Sequence, residues 1–244
     1  MSPPRSYALV VRWTALREKK FLPFAVVIQG LFSLGIVIGY PLLFPQIDPR
    51  TILFIATAAP SITLITMGLV AVPQQVAQAR TEGTLDYLRA LPIPRVVYLL
   101  ADLTVQLLVV LPGVVFGVLV ATWRFNLPIA VSPLVVPAVL LVVLTATSVG
   151  YAMASVLPPL VASLMSQVLV VLVFMFSPLQ FPADRLPDWL AAIHRVLPIQ
   201  AMGEVMRGTL SPAEFPVSAG SFVLLGAWCA ITFAISWRVL ARRA

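Results

Sequence analysis

Cysteine, histidine and lysine are almost absent from this sequence of 244 residues, and only 10% of its residues are charged. The single cysteine, Cys229, excludes an internal disulfide and a metal site built from cysteines. The single histidine, His194, argues against a histidine-based metal site or catalytic triad. The only lysines, Lys19 and Lys20, are not preceded by a glycine-rich loop. The chain therefore lacks the usual phosphate cradle for ATP.

Other signatures of catalysis are missing as well. The sequence contains no HExxH, no GxSxG, and no paired carboxylates deep in an apolar run, which an ion-coupled carrier would need. We therefore expect no enzyme activity, metal or cofactor in this chain. If the protein moves a solute uphill, the energy enters from another subunit.

Apolar residues are what the sequence has in excess: they make up 60% of the chain, and the mean hydropathy is +1.01. A soluble domain has about 25% charged residues, so this chain needs lipid as its solvent. A membrane span takes about 20 apolar residues. The sequence predicts an all-α membrane protein, one transmembrane domain over residues 1–244, with six spans at about 21–44, 51–73, 96–121, 133–156, 160–179 and 217–240.

The basic residues predict which way the spans run. An even number of spans places both termini on one side, and eleven of the sixteen Lys and Arg residues then share that side. The positive-inside rule makes it the cytoplasm. The net charge of +7 thus reflects membrane topology rather than nucleic-acid binding. Residues 5–20 predict a helix at the cytoplasmic interface, and we expect no cleavable signal peptide because these residues lack a continuous apolar core.

A short charged segment lies between the second and third spans. Thr84 suits a helix start, Asp86 suits its first turn, and Leu85 and Leu88 give the helix an apolar side. Prolines at 92 and 94 end it, so we predict a cytoplasmic amphipathic helix within residues 80–92. Either a soluble partner grips this helix, or it is an ordinary loop on the lipid headgroups.

Polar stripes along the spans mark a candidate pathway. Their residues are Gln29, Ser33, Tyr40, Thr57, Ser61, Ser163, Ser166 and Gln167. Hydrogen bonding between packed helices is the alternative explanation, and the one we favour. Asp102, about 9 Å into the membrane at about 1.5 Å per residue, is either a proton site or a structural group that reaches the interface or a neighbouring hydroxyl.

The longest break between spans runs from Pro178 to Pro216. A short helix starts near Pro187 with an apolar face that includes Trp189, and a second helix covers about 199–208 after the break at Pro198. We predict two outer re-entrant helices within residues 182–208.

Taken together, these features resemble the membrane subunit of type-2 ATP-binding-cassette exporters. Two motifs carry the resemblance: residues 80–93, with their Glu-Gly-Thr-Leu run, and residues 177–208, with Ser-Pro, Leu-Pro-Asp-Trp-Leu and Leu-Pro steps. The segment His194-Arg195-Val196-Leu197-Pro198 departs from the family, which often has asparagine before proline.

The resemblance implies a half-transporter that pairs with a second permease subunit, identical or related, and with two cytoplasmic ATPase subunits that bind ATP and Mg²⁺. The predicted cytoplasmic helix would be the coupling helix, with contacts from Glu82, Gly83, Thr84, Leu85, Asp86, Tyr87, Leu88 and Arg89. The outer gate would involve Phe181, Trp189, His194, Glu204 and Arg207. The apolar pathway favours an amphiphilic cargo such as a lipid, glycolipid, drug or haem-like molecule, exported across the plasma or inner membrane.

Two other functions stay open at this point. The first is an ion-coupled carrier or channel without an ATPase, for which Asp102 is the supporting feature. The second is a membrane scaffold that assembles other proteins and transports nothing.

Overall fold

A computed structural model of the chain describes residues 3–19, 22–43, 48–84, 95–125 and 130–242. All regular secondary structure within them is helical, which confirms the all-α membrane class. The helices before and after the Pro178–Pro216 break are α1 (Pro3–Glu18), α2 (Leu22–Leu43), α3 (Pro49–Thr66), α4 (Val72–Thr81), α5 (Arg95–Phe125), α6 (Val135–Val156), α7 (Pro159–Phe176) and α10 (Ala219–Arg242). Two short helices, α8 (Asp188–Val196) and α9 (Pro198–Leu210), lie between α7 and α10.

Five of these helical segments are long and apolar enough to cross a membrane: Pro49–Thr81, Leu100–Arg124, Val135–Val156, Pro159–Phe176 and Ala219–Ser236. Helix α2 coincides with the predicted first span, and within it Val26–Ile36 is a shorter apolar run. A total of six spans therefore stays a prediction.

The second span is longer than the sequence predicts, because Pro73 does not end it. Helix α3 starts where the Asp48 carboxylate accepts a hydrogen bond from the Thr51 backbone at 3.0 Å, and α3 then continues through a π-helical turn, Met67–Ala71, into α4. Pro73 has no N–H to donate to the helix, and a π turn is one way for a helix to absorb that loss. The uninterrupted segment has 33 residues, or about 50 Å at about 1.5 Å per residue.

This long helix defines two opposite ends of the bundle. At one end, α9 packs on α3, and the Ser132 backbone donates to the Thr209 carbonyl at 2.8 Å. We call this the His194 end. At the other end, α4 packs on α6 and α7, and the Tyr7 hydroxyl of α1 contacts the Thr104 hydroxyl at 2.6 Å. We call this the Glu82 end.

Two glycines allow a close contact between the π turn and α6. The π turn packs on α6, and a Cβ placed on Gly68 would lie 2.5 Å from the backbone carbon of Ala146. A Cβ placed on Gly150 of α6 would overlap the Gly68 carbonyl oxygen and would lie 3.0 Å from the Pro73 ring. The π turn is therefore held against α6 through backbone atoms, which only glycine permits.

Candidate functional site

The predicted coupling segment begins directly after α4. Arg80 and Thr81, the first two residues of the predicted segment 80–92, belong to α4 itself. Glu82 is the C-cap residue, and its carboxylate accepts a hydrogen bond from Gln78 at 2.6 Å. Gly83 has a φ of 72°, the left-handed conformation that commonly terminates helices. The chain therefore turns sharply at Gly83.

Thr84 is already helical. The other predicted contacts of the coupling helix, Leu85, Asp86, Tyr87, Leu88 and Arg89, lie outside the described residues. The structure does describe the end of α4, which directly precedes this segment.

Arg80 connects the end of α4 to the end of α6, and we call this contact the Arg80 anchor. Its Nη1 atom donates to the backbone oxygens of Ala154 at 2.6 Å and Leu157 at 2.7 Å. Ala154 is in the last turn of α6 and Leu157 is its C-cap residue, and at this end helix carbonyls lack partners and the helix dipole favours a cation. The end of α4 is thus fixed to the end of α6 only two residues before the coupling segment.

Two polar pairs join the helices one or two turns deeper. The Gln106 side chain of α5 donates to the Gln75 side chain of α4 at 2.6 Å. Tyr151 of α6 donates its hydroxyl proton to the Asp102 carboxylate of α5, and Asp102 is only 5% exposed. The sequence had left a neighbouring hydroxyl open as a partner for Asp102, and the structure provides one. The Glu82 end is therefore tied together across α4, α5 and α6.

A cavity of about 330 Å³ opens beside the π turn, and we call it the lateral cavity. Polar lining comes from Gln29 of α2, Thr63 and Thr66 of α3, and Gln74 and Gln75 of α4, with apolar residues between them. The Gln29 Oε1 atom is buried and has no hydrogen-bond partner within the described part of the chain. The cavity thus combines apolar walls with neutral amide and hydroxyl groups.

The structure divides the predicted pathway residues. Gln29 lines the lateral cavity, but Thr57 and Ser61 are fully buried inside the packed bundle. The Thr57 hydroxyl donates to the Leu53 carbonyl of its own helix at 2.8 Å. Ser166 is likewise fully buried and donates to Ala162 at 2.7 Å, whereas Ser163 is half-buried and Gln167 is exposed.

Some residues of the predicted polar stripes are thus buried between helices. The α3 residues that line the lateral cavity are Thr63 and Thr66. Ser33 and Tyr40 lie on α2, and their side chains fall outside the described ones.

A second depression continues along the same side of the molecule. It measures about 370 Å³, and its lining is Ile28, Leu31, Gly35, Ile36 and Phe174. We call it the α2–α7 groove. Only 17% of the apolar window of α7 is buried, compared with 78% for the α3–α4 segment. The side of the molecule that carries α2 and α7 is therefore open and apolar.

At the His194 end, the predicted gate residues point in different directions. Arg207 is 5% exposed, donates to the Leu179 carbonyl at 2.9 Å, and lies 3.4 Å from the Phe54 ring centroid. Burial lowers the pKa of Arg207 to about 9, which leaves it charged at neutral pH. Glu204 instead accepts hydrogen bonds from Gln200 at 2.7 Å and Ser221 at 2.5 Å.

Three gate residues remain. Phe181 is half-buried, Trp189 is 66% exposed, and His194 is buried. Pro198, which the sequence indicates as a break, is the first residue of α9. Helix α9 thus presents Arg207 to the core and Glu204 to α10, and His194 and Glu204 line one cavity.

Sequence reasoning missed three features of these sites: the Arg80 anchor, the Gln75–Gln106 pair and the π turn. Each had a local signal. Arg80 follows an apolar span by a few residues, Gln74 and Gln75 follow Pro73 directly, and that proline stands inside a continuous helical pattern. A proline in such a pattern predicts either an end or a distortion of the helix, and here the distortion occurs.

The comparisons with known proteins agree with this architecture. Residues 11–211 match the family model described as ABC-2 type transporter. This match covers most of the chain, from within α1 to the end of α9. No curated protein matches the chain in a sequence search.

Proposed function

Because the chain belongs to the ABC-2 type transporter family, as a permease component of an ABC transporter, we propose that it exports an amphiphilic or hydrophobic molecule, driven by separate ATPase subunits. The cargo class is a lipid, glycolipid, drug or haem-like compound. Two ATPase subunits would bind ATP and Mg²⁺ and dock at the Glu82 end, which we assign to the cytoplasm with both termini. The membrane is the plasma or inner membrane.

One observation carries this proposal: a single helical segment connects the coupling segment to the lateral cavity. The segment Pro49–Thr81 lines that cavity with Thr63, Thr66, Gln74 and Gln75, and it ends one residue before Glu82. Only the turn at Glu82 and Gly83 separates the rest of the coupling segment from this helical segment, so a movement of the coupling segment would reach the cavity wall. A rigid helix transmits displacement along its length, whereas a flexible loop would absorb it.

The Arg80 anchor specifies which helices would move together. Arg80 joins the end of α4 to α6, and the pairs Gln75–Gln106 and Asp102–Tyr151 extend the connection to α5. We propose that α4, α5 and α6 move as one unit when the ATPases close. The lateral cavity, whose opposite wall is α2, would then change shape.

A second permease subunit would complete the pathway. The α2–α7 groove and the lateral cavity lie on neighbouring parts of one open side, and Ile28 lines both. A Cβ on Gly35 or Gly39 would meet nothing within 4 Å, so neither glycine serves packing among the described residues of this subunit. Small residues that are left open in this way suit close approach of another helix.

The lining of the cavities supports the class of cargo. Apolar atoms dominate both cavities, and the polar groups at the lateral cavity are neutral amides and hydroxyls. Such a site favours a molecule with a large apolar part and a few hydrogen-bonding groups. A small ion would find neither charge nor a continuous polar wall there.

The decisive experiment combines co-purification with transport. Charge reversal at Glu82, Asp86 and Arg89 should reduce recovery of the ATPase with the permease and should reduce ATP-dependent transport in proteoliposomes. Reversal of Arg5 and Arg12, which are exposed on α1, is the matched control. Unchanged ATPase recovery and transport in the triple variant would refute the coupling assignment.

The same proteoliposomes test the alternatives. Transport by the purified chain alone, without any ATPase, would favour an ion-coupled carrier. Stable binding of an ATPase whose turnover no candidate substrate stimulates would favour a scaffold.

A further inference from the structure

A third cavity, of about 380 Å³, lies at the His194 end between α8, α9 and the start of α10. We call it the His194 cavity. Its lining is His194, Arg195, Gln200, Ala201, Glu204, Ser218, Gly220, Ser221 and Leu224. None of these residues lines the lateral cavity or the α2–α7 groove. The His194 cavity is more polar than the other two cavities, since its lining includes both an acidic and a basic side chain.

Hydrogen-bond acceptors are concentrated in this cavity. The Glu204 carboxylate accepts from Gln200 through one oxygen and from Ser221 through the other, and each oxygen retains a further lone pair. The Gln200 Oε1 atom is buried and has no hydrogen-bond partner among the described residues. The residues that line the cavity therefore include acceptors with unused lone pairs.

His194 contributes a further acceptor. The residue is only 6% exposed, and its Nδ1 atom has no hydrogen-bond partner within the part of the chain that the structure describes. Burial lowers the pKa of His194, although a hydrogen bond to the backbone of Phe176 opposes that shift. At neutral pH the ring is therefore neutral. With the other ring nitrogen engaged by Phe176, Nδ1 is an unprotonated acceptor.

Arg195 gives the same cavity a positive charge. It follows His194 directly on α8, and its side chain is exposed at the cavity lining. A guanidinium is the side chain best suited to bind a phosphate. The cavity thus combines acceptors around Glu204 with a phosphate-binding cation at Arg195.

We propose that the His194 cavity binds the headgroup of phosphatidylethanolamine, with the ammonium against Glu204, Gln200 and His194 and the phosphate against Arg195. A primary ammonium has three N–H donors, which matches the acceptors that these three residues supply. A choline headgroup has the same charge but no N–H donor, so it leaves those acceptors unsatisfied. A glycerol headgroup has no cation for Glu204.

The residues around the cavity indicate a lipid rather than free phosphoethanolamine. Trp189, Ile193 and Val196 of α8 are 66%, 47% and 64% exposed, and Val223 of α10 is 73% exposed. These apolar side chains come from α8 and α10, two of the three helices that line the cavity, so acyl chains can lie along them. A metal ion fits less well, because the described residues include no group of three His, Cys, Asp or Glu side chains.

Such a lipid would hold α8 and α9 in place. Trp228 of α10 donates its indole N–H to the Val196 carbonyl at 2.8 Å, and Ser221 of α10 donates to Glu204 of α9. The headgroup would add a third connection among these helices. This role is independent of the cargo and of the direction of transport.

The test uses the purified full-length protein, stripped of lipid in detergent, with short-chain lipids titrated and binding followed by native mass spectrometry. Phosphatidylethanolamine should bind at least about tenfold more tightly than phosphatidylcholine or phosphatidylglycerol, because one charge-assisted hydrogen bond alone accounts for about that factor. Equal affinity for phosphatidylethanolamine and phosphatidylcholine would overturn the proposal, and this comparison needs no variant. Free phosphoethanolamine that binds as tightly as the lipid would overturn the lipid as the source.

Variants then locate the site. Glu204→Gln should abolish the preference for ethanolamine over choline, while Glu214→Gln, which changes an exposed acid outside the cavity lining, should preserve it. Arg195→Gln should weaken the binding of both lipids, and Arg185→Gln, which changes another exposed arginine outside the lining, should not. If Glu204→Gln and Glu214→Gln retain the same preference, the site is elsewhere.

Discussion

The glycine contact between the π turn and α6 leads to a quantitative prediction. In Gly68→Ala, the new methyl carbon would lie 2.5 Å from the Ala146 backbone carbon and 2.7 Å from the Thr147 nitrogen. Carbon atoms pack at about 3.5 Å or more, so the helices must separate by about 1 Å. Overpacking of a core costs about 1–3 kcal/mol, and we expect the upper part of that range because backbone atoms cannot rotate away. For a chain of this size, about 3 kcal/mol corresponds to a melting temperature lower by about 6–12 °C.

Cys229 makes the measurement simple. It is the only cysteine in the sequence, and it is half-buried in α10. A thiol-reactive dye therefore reports unfolding of the purified protein as the temperature rises. Gly226→Ala is the matched control, since a Cβ there meets nothing within 4 Å. We expect the control to melt at the wild-type temperature or slightly above it, because alanine is the better helix former.

The reasoning is refuted if Gly68→Ala and Gly226→Ala melt at the same temperature. In that case α6 and the π turn would be less tightly packed than the structure indicates.

Three further variants test other contacts. Arg80→Met removes the hydrogen bonds to the end of α6 but keeps an apolar side chain, so ATPase recovery should persist while ATP-dependent transport falls severalfold. Arg12→Met, at an exposed position of α1, should leave both unchanged. Full transport by Arg80→Met would show that the Arg80 hydrogen bonds do not transmit movement. Asp102→Asn should retain ATP-dependent transport, because an amide oxygen still accepts from the Tyr151 hydroxyl; loss of transport in a well-folded variant would indicate a proton site. Arg207→Lys keeps the charge but loses the stacking of the guanidinium on the Phe54 ring, so the melting temperature should fall by an amount equivalent to about 1–2 kcal/mol. An unchanged melting temperature would show that this stacking contributes little to stability.

The sequence was informative where a property is local. Hydrophobic run length located the five helical segments that are long and apolar enough to cross a membrane, and Pro158 and Pro159 correctly separate α6 from α7. Helices α8 and α9 also occur near their predicted positions, because prolines at 187 and 198 favour the first turn of a helix. Whether α8 and α9 enter the membrane stays a prediction.

Features that depend on two distant segments were beyond the sequence. Nothing near Arg80 shows that its partners would be the carbonyls of residues 154 and 157. Thr57 and Thr63 are equally polar on the same helix, yet only the latter lies at the lateral cavity. Helix periodicity gives the angle between two side chains, but it does not say which neighbouring helix fills that angle. The partners of Glu204 and Arg207 were unpredictable for the same reason.

The π turn also sets the rotational phase of the lower half of its helix. An i→i+5 turn contains one residue more than an α-helical turn, and one residue corresponds to about 100° around the axis. Arg80 and Gln75 face α6 and α5 because the π turn takes up that extra residue, whereas an unbroken α-helix of the same sequence would rotate both side chains by about 100°. A homologue that lacked a single residue between 67 and 71 would therefore form a regular α-helix there and direct the same side chains to the same neighbours. The length of this segment, more than its composition, decides whether the helix needs a π turn to meet these neighbours.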